Sequence, residues 1–175
     1  LSRYVGKSIV WFDTSANKKK SQKRTKGGSY INEEEKRIIL EILDDLKSTG
    51  ELKGLDIGII TGYSGQKELL RKSIKATGLD KIASKIDINT LDAFQGREND
   101  IIIYSTVRTR DSIGFQKEKE RVNVAFSRAK KLLIVCGDKN FFYNFDDQDN
   151  KFVEIIDYIS EEEECEIIQC DGGKL

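Results

Sequence analysis

Short apolar runs, each closing on a hydroxyl or acidic residue and separated by stretches of helical periodicity, constrain this chain more than any other feature. Ser8–Phe12 stops at Asp13-Thr14, Leu55–Thr61 closes on its own threonine, Ile86–Asn89 stops at Thr90, Ile101–Ser105 at Thr106, and Leu132–Cys136 at Gly137-Asp138. Between the first two, Ile38, Ile39, Ile42, Leu43 and Leu46 recur at helical spacing. Asn32 with Glu35 is a helix-start pair, Glu33 and Glu34 add first-turn charge, and Gly50 is the stop. The spacing predicts further helices over Gly65–Ala76, Arg121–Lys130 and Phe152–Ile159, while residues 160–175 read as an acidic tail or an edge strand over Cys165–Gln169. Strands alternating with helices give an α/β fold, a mostly parallel sheet flanked by helices, in one domain over residues 1–175. Ligands of such sheets sit outside the carboxyl ends of the strands. Hydroxyls there suit phosphate or sugar contacts, although threonine also favours such positions for local reasons.

At 175 residues the chain is long enough for one buried core. No apolar run approaches the ~20 residues of a membrane span, and Leu1–Phe12 has no leader pattern. Methionine is absent even from position 1, so the sequence reads as part of a longer protein. The formal charge of zero is a cancellation: residues 1–30 hold eight bases against one acid, and residues 140–175 two bases against eleven acids. Three cysteines without CxxC spacing, and no histidine, argue against a disulfide framework or a zinc site and fit a reducing, cytoplasmic setting.

Asn17–Gly28, NKKKSQKRTKGG, carries six cations and no large apolar residue, so it is expected as a basic mobile loop, either a solvated linker or a phosphate-backbone contact. Gly6-Lys7-Ser8 only mimics a phosphate loop, because a strand follows it instead of a helix. Glu51-Leu52-Lys53 has the form of a metal-nuclease fragment but no companion aspartate. In Thr90–Glu98, Gly96 permits close backbone approach to a ligand, and Arg97 and Glu98 set a cationic fork beside a carboxylate; an internal ion pair would look the same. On a helix over Arg121–Lys130, Arg121 and Arg128 would nearly superimpose beside an apolar face of Val122, Ala125, Phe126 and Ala129.

TLDAFQGREND (90–100), IIIYSTVR (101–108) and RVNVAFSRAKKLLIVCGD (121–138) resemble motifs V and VI of superfamily 1 helicases, in the branch of the nonsense-mediated-decay helicase and senataxin. IGIITGYSGQ (57–66) and the SYIN start (29–35) are similar to flanking segments of that branch. The resemblance implies a second RecA-like domain, P-loop NTPase-like but without its own P-loop, acting in an ATP-dependent DNA or RNA helicase. It implies that Arg128 is the arginine finger, that Glu98 contacts the ribose or γ-phosphate side, and that Gln95, Gly96, Arg97 and Arg121 serve the ATP site. Thr61, Tyr63, Gln66, Thr90, Asp92, Thr106 and Arg108 would face single-stranded nucleic acid. ATP and Mg²⁺ would be held mainly by a preceding RecA-like domain, the other expected partner; no membrane is implied.

The chain departs from the family at Gly62, where proline is usual, at Phe126-Ser127 in place of Leu-Thr, and at Glu120, where a first arginine is frequent. Walker A, Walker B, the motif III glutamine and the motif IV Tyr-Arg are missing, so the chain alone is expected to turn over no ATP. The alternatives are a non-catalytic nucleic-acid-binding module of the same fold and, remotely, a metal-dependent nuclease.

Overall fold

Along β6 (Asn99–Ser105), Ile101 and Ile103 enter one apolar cluster and Ile102 and Tyr104 another, and all four are fully buried. A strand apolar on both sides has to be covered on both sides, which makes it an interior strand of a parallel sheet. β1 (Ile9–Asp13), β4 (Asp56–Thr61) and β7 (Ala129–Gly137) follow the same logic. With β5 (Lys85–Thr90) and β8 (Cys165–Gln169) they make a six-stranded sheet of order β5-β4-β6-β7-β1-β8, in which every neighbouring pair is parallel. A short antiparallel ladder joins β2 (Lys23–Arg24) to β3 (Tyr30–Ile31). The computed structural model describes residues 4–83, 85–94, 98–117, 119–146, 150–173 and 175.

α1 (Glu33–Ser48) and α2 (Ser64–Thr77) cover one face, with Ile38, Ile39, Ile42, Leu43, Leu70 and Ile74 against β1, β4, β6 and β7. α3 (Lys119–Phe126), α4 (Lys139–Tyr143) and α5 (Lys151–Glu161) cover the other, through Val122, Phe142, Phe152 and Ile156. Each fully buried aliphatic side chain contributes roughly 1.5–3 kcal/mol, so α1 is held by packing and needs little intrinsic propensity.

Two expectations are corrected. The helix predicted to reach Lys130 ends at Phe126, because Asn99 N–H donates to Arg128 O at 3.1 Å and Asn99 pairs with Ala129, drawing the following residues into β7. Arg128 therefore lies in a turn, and its helical superposition on Arg121 does not exist. The Asn32–Glu35 pair does mark the helix start: Asn32 Oδ1 accepts from the backbone amides of Glu34 and Glu35 at 3.1 Å, while the Asn32 backbone amide donates to Gln66 Oε1 at 2.8 Å rather than to Glu35. The basic stretch, expected to find no packing, buries Asn17 and Gln22 and forms β2 within it.

At the ends of β6 and β7 two side chains cannot share the same space. A Cβ built on Gly137 would lie 2.1 Å from Thr106 Oγ1 and 2.8 Å from Thr106 Cγ2. Gly137→Ala is expected to cost about 1–3 kcal/mol in urea unfolding. The loss should shrink on a Thr106→Ala background, which removes those two atoms; equal losses on both backgrounds would show that the positions do not collide.

Candidate functional site

Parallel strands sort the predicted residues onto two opposite edges of the sheet. Thr61, Thr90 and Thr106 end or follow β4, β5 and β6, so they mark the carboxyl edge with Tyr63, Gln66, Asp92 and Arg108. Glu98 and Arg128 immediately precede β6 and β7 and mark the amino edge. Gln95, Gly96 and Arg97 lie outside the described residues. Arg121, expected beside Arg128, joins the carboxyl edge, where its Nη1 is 3.4 Å from Asp92 Oδ1. Those two side chains, with Gly62 and Thr90, line a small pocket of about 80 Å³.

The carboxyl edge is built around Glu35, a carboxylate wholly buried on the first turn of α1. It accepts Ser105 Oγ at 2.6 Å, Thr106 Oγ1 at 3.1 Å, and the Val107 amide at 2.9 Å to each oxygen. Val107 has φ +67°, a left-handed conformation that costs a β-branched residue about 1–3 kcal/mol. The two hydrogen bonds from its amide hold it there. Gln66 joins the same web, donating to Asn32 O at 3.1 Å and Ser105 Oγ at 3.0 Å.

Val107 turns the chain so that Arg108 is buried beneath two tyrosines, its guanidinium carbon 4.2 Å from the Tyr30 ring centroid and 6.0 Å from that of Tyr63. Arg108 Nε donates to Gln22 Oε1 at 2.9 Å. Gln116 braces the loop from beneath, donating to Thr106 O at 3.0 Å and accepting from Tyr104 Oη at 2.8 Å. Gly114, at φ +62°, has no room for a side chain, since its Cβ would lie 2.4 Å from Tyr63 Oη. Thr61, Gln66 and Thr106, expected to face a groove, have no exposed surface, so they shape this edge from within. Thr90 is half-buried and Asp92 exposed, so these two reach solvent.

At the amino edge, Val122 and Ala125 anchor α3, and Phe126 meets Tyr104 edge-on at 5.3 Å, which fixes the turn that carries Arg128. Arg128 Nε is shielded from solvent and has no hydrogen-bond partner among the described residues. A buried cationic donor without an acceptor is costly unless an anion arrives, so this atom fits a phosphate ligand. Glu98 is exposed one residue before β6, whose second residue, Asp100, pairs with Lys131 at 3.0 Å. Among the described residues no cluster of three acidic, cysteine or histidine side chains could hold a metal ion.

Sequence reasoning missed the roles of Glu35, Gln22, Tyr30 and Gln116. Glu35 carried a signal, a capping spacing, that pointed to the wrong partner; Gln22 was hidden inside a run of cations.

A family model described as "AAA domain" matches residues 2–140. The chain is 36% identical over 138 residues to the DNA polymerase alpha-associated DNA helicase A of Saccharomyces cerevisiae, covering 74% of this chain and 19% of that protein. It is 38% identical over 116 residues to the Regulator of nonsense transcripts 1 homolog of Neurospora crassa, covering 64% of this chain and 10% of that protein. To the probable helicase senataxin of Mus musculus it is 37% identical over 118 residues, 65% of this chain and 4% of that protein. The chain thus spans about a fifth or less of the length of these relatives.

Titration of Glu35 tests the carboxyl-edge web. Burial pushes its carboxyl up to about 7 from 4.5, outweighing the hydrogen bonds from Ser105, Val107 and Thr106 that favour the anion. The folded chain therefore binds the proton more tightly than the unfolded one. Stability from this group is fully present below the unfolded value of 4.5 and falls as pH rises to about 7, by at most about 3 kcal/mol. Glu35→Gln should flatten the stability profile in that window; a slope equal to that of the unaltered chain would place the carboxyl in the ordinary range.

Proposed function

Because the chain belongs to the AAA-domain family and its relatives are superfamily 1 helicases, we propose that it is the carboxy-terminal RecA-like half of an ATP-dependent helicase. The amino edge meets the nucleotide, and the carboxyl edge forms one wall of a track for single-stranded DNA or RNA. The observation that carries this reading is the shielded Nε of Arg128, without a hydrogen-bond partner among the described residues, on the edge it shares with Glu98.

ATP, with Mg²⁺ held mainly by a preceding RecA-like domain, would supply the phosphoryl group. Arg128 sets a guanidinium toward the terminal phosphates, where its fork matches their geometry and its partial desolvation strengthens the interaction. Glu98 contributes an acceptor on the ribose or γ-phosphate side, and Gln95, Gly96 and Arg97 complete that edge. On the opposite edge Thr90 and Asp92 meet the nucleic acid, with Arg121 held beside them by Asp92 and the buried Thr61, Tyr63, Gln66, Thr106 and Arg108 shaping the track wall from beneath. α3 runs between the two edges, from Arg121 near its start to the Arg128 turn at its end, and so joins nucleotide state to strand grip. Free, buried thiols at Cys136, Cys165 and Cys170 fit a reducing, cytoplasmic setting.

In the protein that joins this chain to its preceding domain, Arg128→Ala should cut ATP turnover by about 10³-fold or more while nucleotide binding persists. The 175-residue chain alone should show none. Turnover of the joined protein that is insensitive to Arg128→Ala would refute the arginine-finger role and favour a non-catalytic nucleic-acid-binding module.

A further inference from the structure

The basic stretch over residues 17–28 is the one motif of the sequence that the two edges leave unused. Apart from Lys20, which pairs with Asp138, most of its charge is uncommitted. Lys18, Lys19, Lys23 and Lys26 are exposed, and among the described residues none of them has an ion pair. The cations of neighbouring α1 are matched instead: Lys36 with Glu33, Arg37 with Glu34 and Glu41, Lys47 with Asp44.

The backbone beneath those lysines is tied down at several points. Asn17 Nδ2 donates to Glu34 Oε1 at 2.6 Å. Lys20 Nζ lies 2.7 Å from Asp138 Oδ2 and donates to Ser15 O at 2.7 Å, and Lys20 O accepts from Asn32 Nδ2 at 2.7 Å. Gln22, only 2% exposed, accepts Arg108 Nε at 2.9 Å and the Thr109 backbone amide at 3.0 Å through its side-chain oxygen, while its backbone N–H donates to Thr109 Oγ1 at 3.1 Å. Past the β2–β3 turn, Ser29 Oγ accepts from the Gly65 amide at 3.0 Å at the start of α2. These ties end on the segments that follow β1, β6 and β7 and on the starts of α1 and α2, all at the carboxyl edge.

We infer that residues 18–26 form a fixed cationic arm that contacts the phosphate backbone of single-stranded nucleic acid, and that Gln22 is the positioning residue locking the arm to the Arg108 loop. This rests on the carboxyl edge being the nucleic-acid side. Four lysines on a backbone tied to that edge, three of them (Lys18, Lys19 and Lys23) lining the cavity beside α1, neutralise phosphates without reading bases, so the contact is independent of sequence and sensitive to salt.

The test is fluorescence anisotropy of this chain with labelled oligothymidylate and oligouridylate across a salt series. Replacing Lys18, Lys19, Lys23 and Lys26 together by alanine should weaken binding at least about tenfold at low salt and reduce the log–log salt slope by about 3, from ~0.7 per phosphate on single strands. Gln22→Ala, which removes no charge, should lower the thermal midpoint by leaving the buried Arg108 Nε without its acceptor, and at a temperature where the variant keeps the circular dichroism of the unaltered chain it should still bind severalfold more weakly. Unchanged affinity and slope in the quadruple variant would overturn the arm, and an unaltered Gln22→Ala would overturn the lock. Displacement of the oligonucleotide by polyglutamate at equal charge would assign the lysines to an acidic polypeptide instead. An unaltered chain that binds neither oligonucleotide refutes the arm and its nucleic-acid edge, whereas the Arg128 measurement judges the nucleotide edge separately.

Discussion

The carboxyl edge depends on one buried carboxylate gripping the backbone where β6 ends. Glu35 brings α1 to the exit of a central strand, satisfies Ser105, Thr106 and Val107 together, and holds Val107 in a conformation its side chain resists. Arg108, its tyrosine neighbours and Gln22 take their positions from that turn. A neutral apolar residue at 35 would avoid the cost of burying a charge but would leave three buried polar groups unanswered.

Separation is the second theme. The parallel sheet places Glu98 and Arg128 at one end of β6 and β7 and the threonine-rich turns at the other, roughly 20 Å apart for strands of this length at ~3.3 Å per residue. Residues close in sequence can therefore belong to different edges. Arg121 and Arg128 are seven positions apart, yet one is paired with Asp92 and the other lies in the turn before β7. Phe126, at the end of α3, packs edge-on against both Tyr104 and Phe152.

Much of the fold was legible because apolar alternation is a local signal. The strand over Ile101–Ser105 and the helix carrying Ile38 to Leu46 needed no knowledge of partners, and the edge strand Cys165–Gln169 was one of two readings on offer. What stayed hidden depended on distant residues. Nothing within RVNVAFSRAKK stops a helix; the pairing of Asn99 with Ala129 does. Asn32 and Glu35 have the spacing of a capping pair, but the destination of Glu35 lies 70 residues further along. In the candidate site, arginines and acids stood out by type, whereas buried glutamines such as Gln22 and Gln116 acquire meaning only from the carbonyls and guanidinium they meet.

The sheet ends in two rims, β5 and β8, to which no further strand is paired among the described residues. Both strands are short, and both are studded with polar groups: Lys85, Asp87 and Asn89 on one, Glu166 and Gln169 on the other. A second molecule continuing the hydrogen-bond ladder would crowd against those polar and charged groups, which disfavours edge-to-edge pairing of two copies.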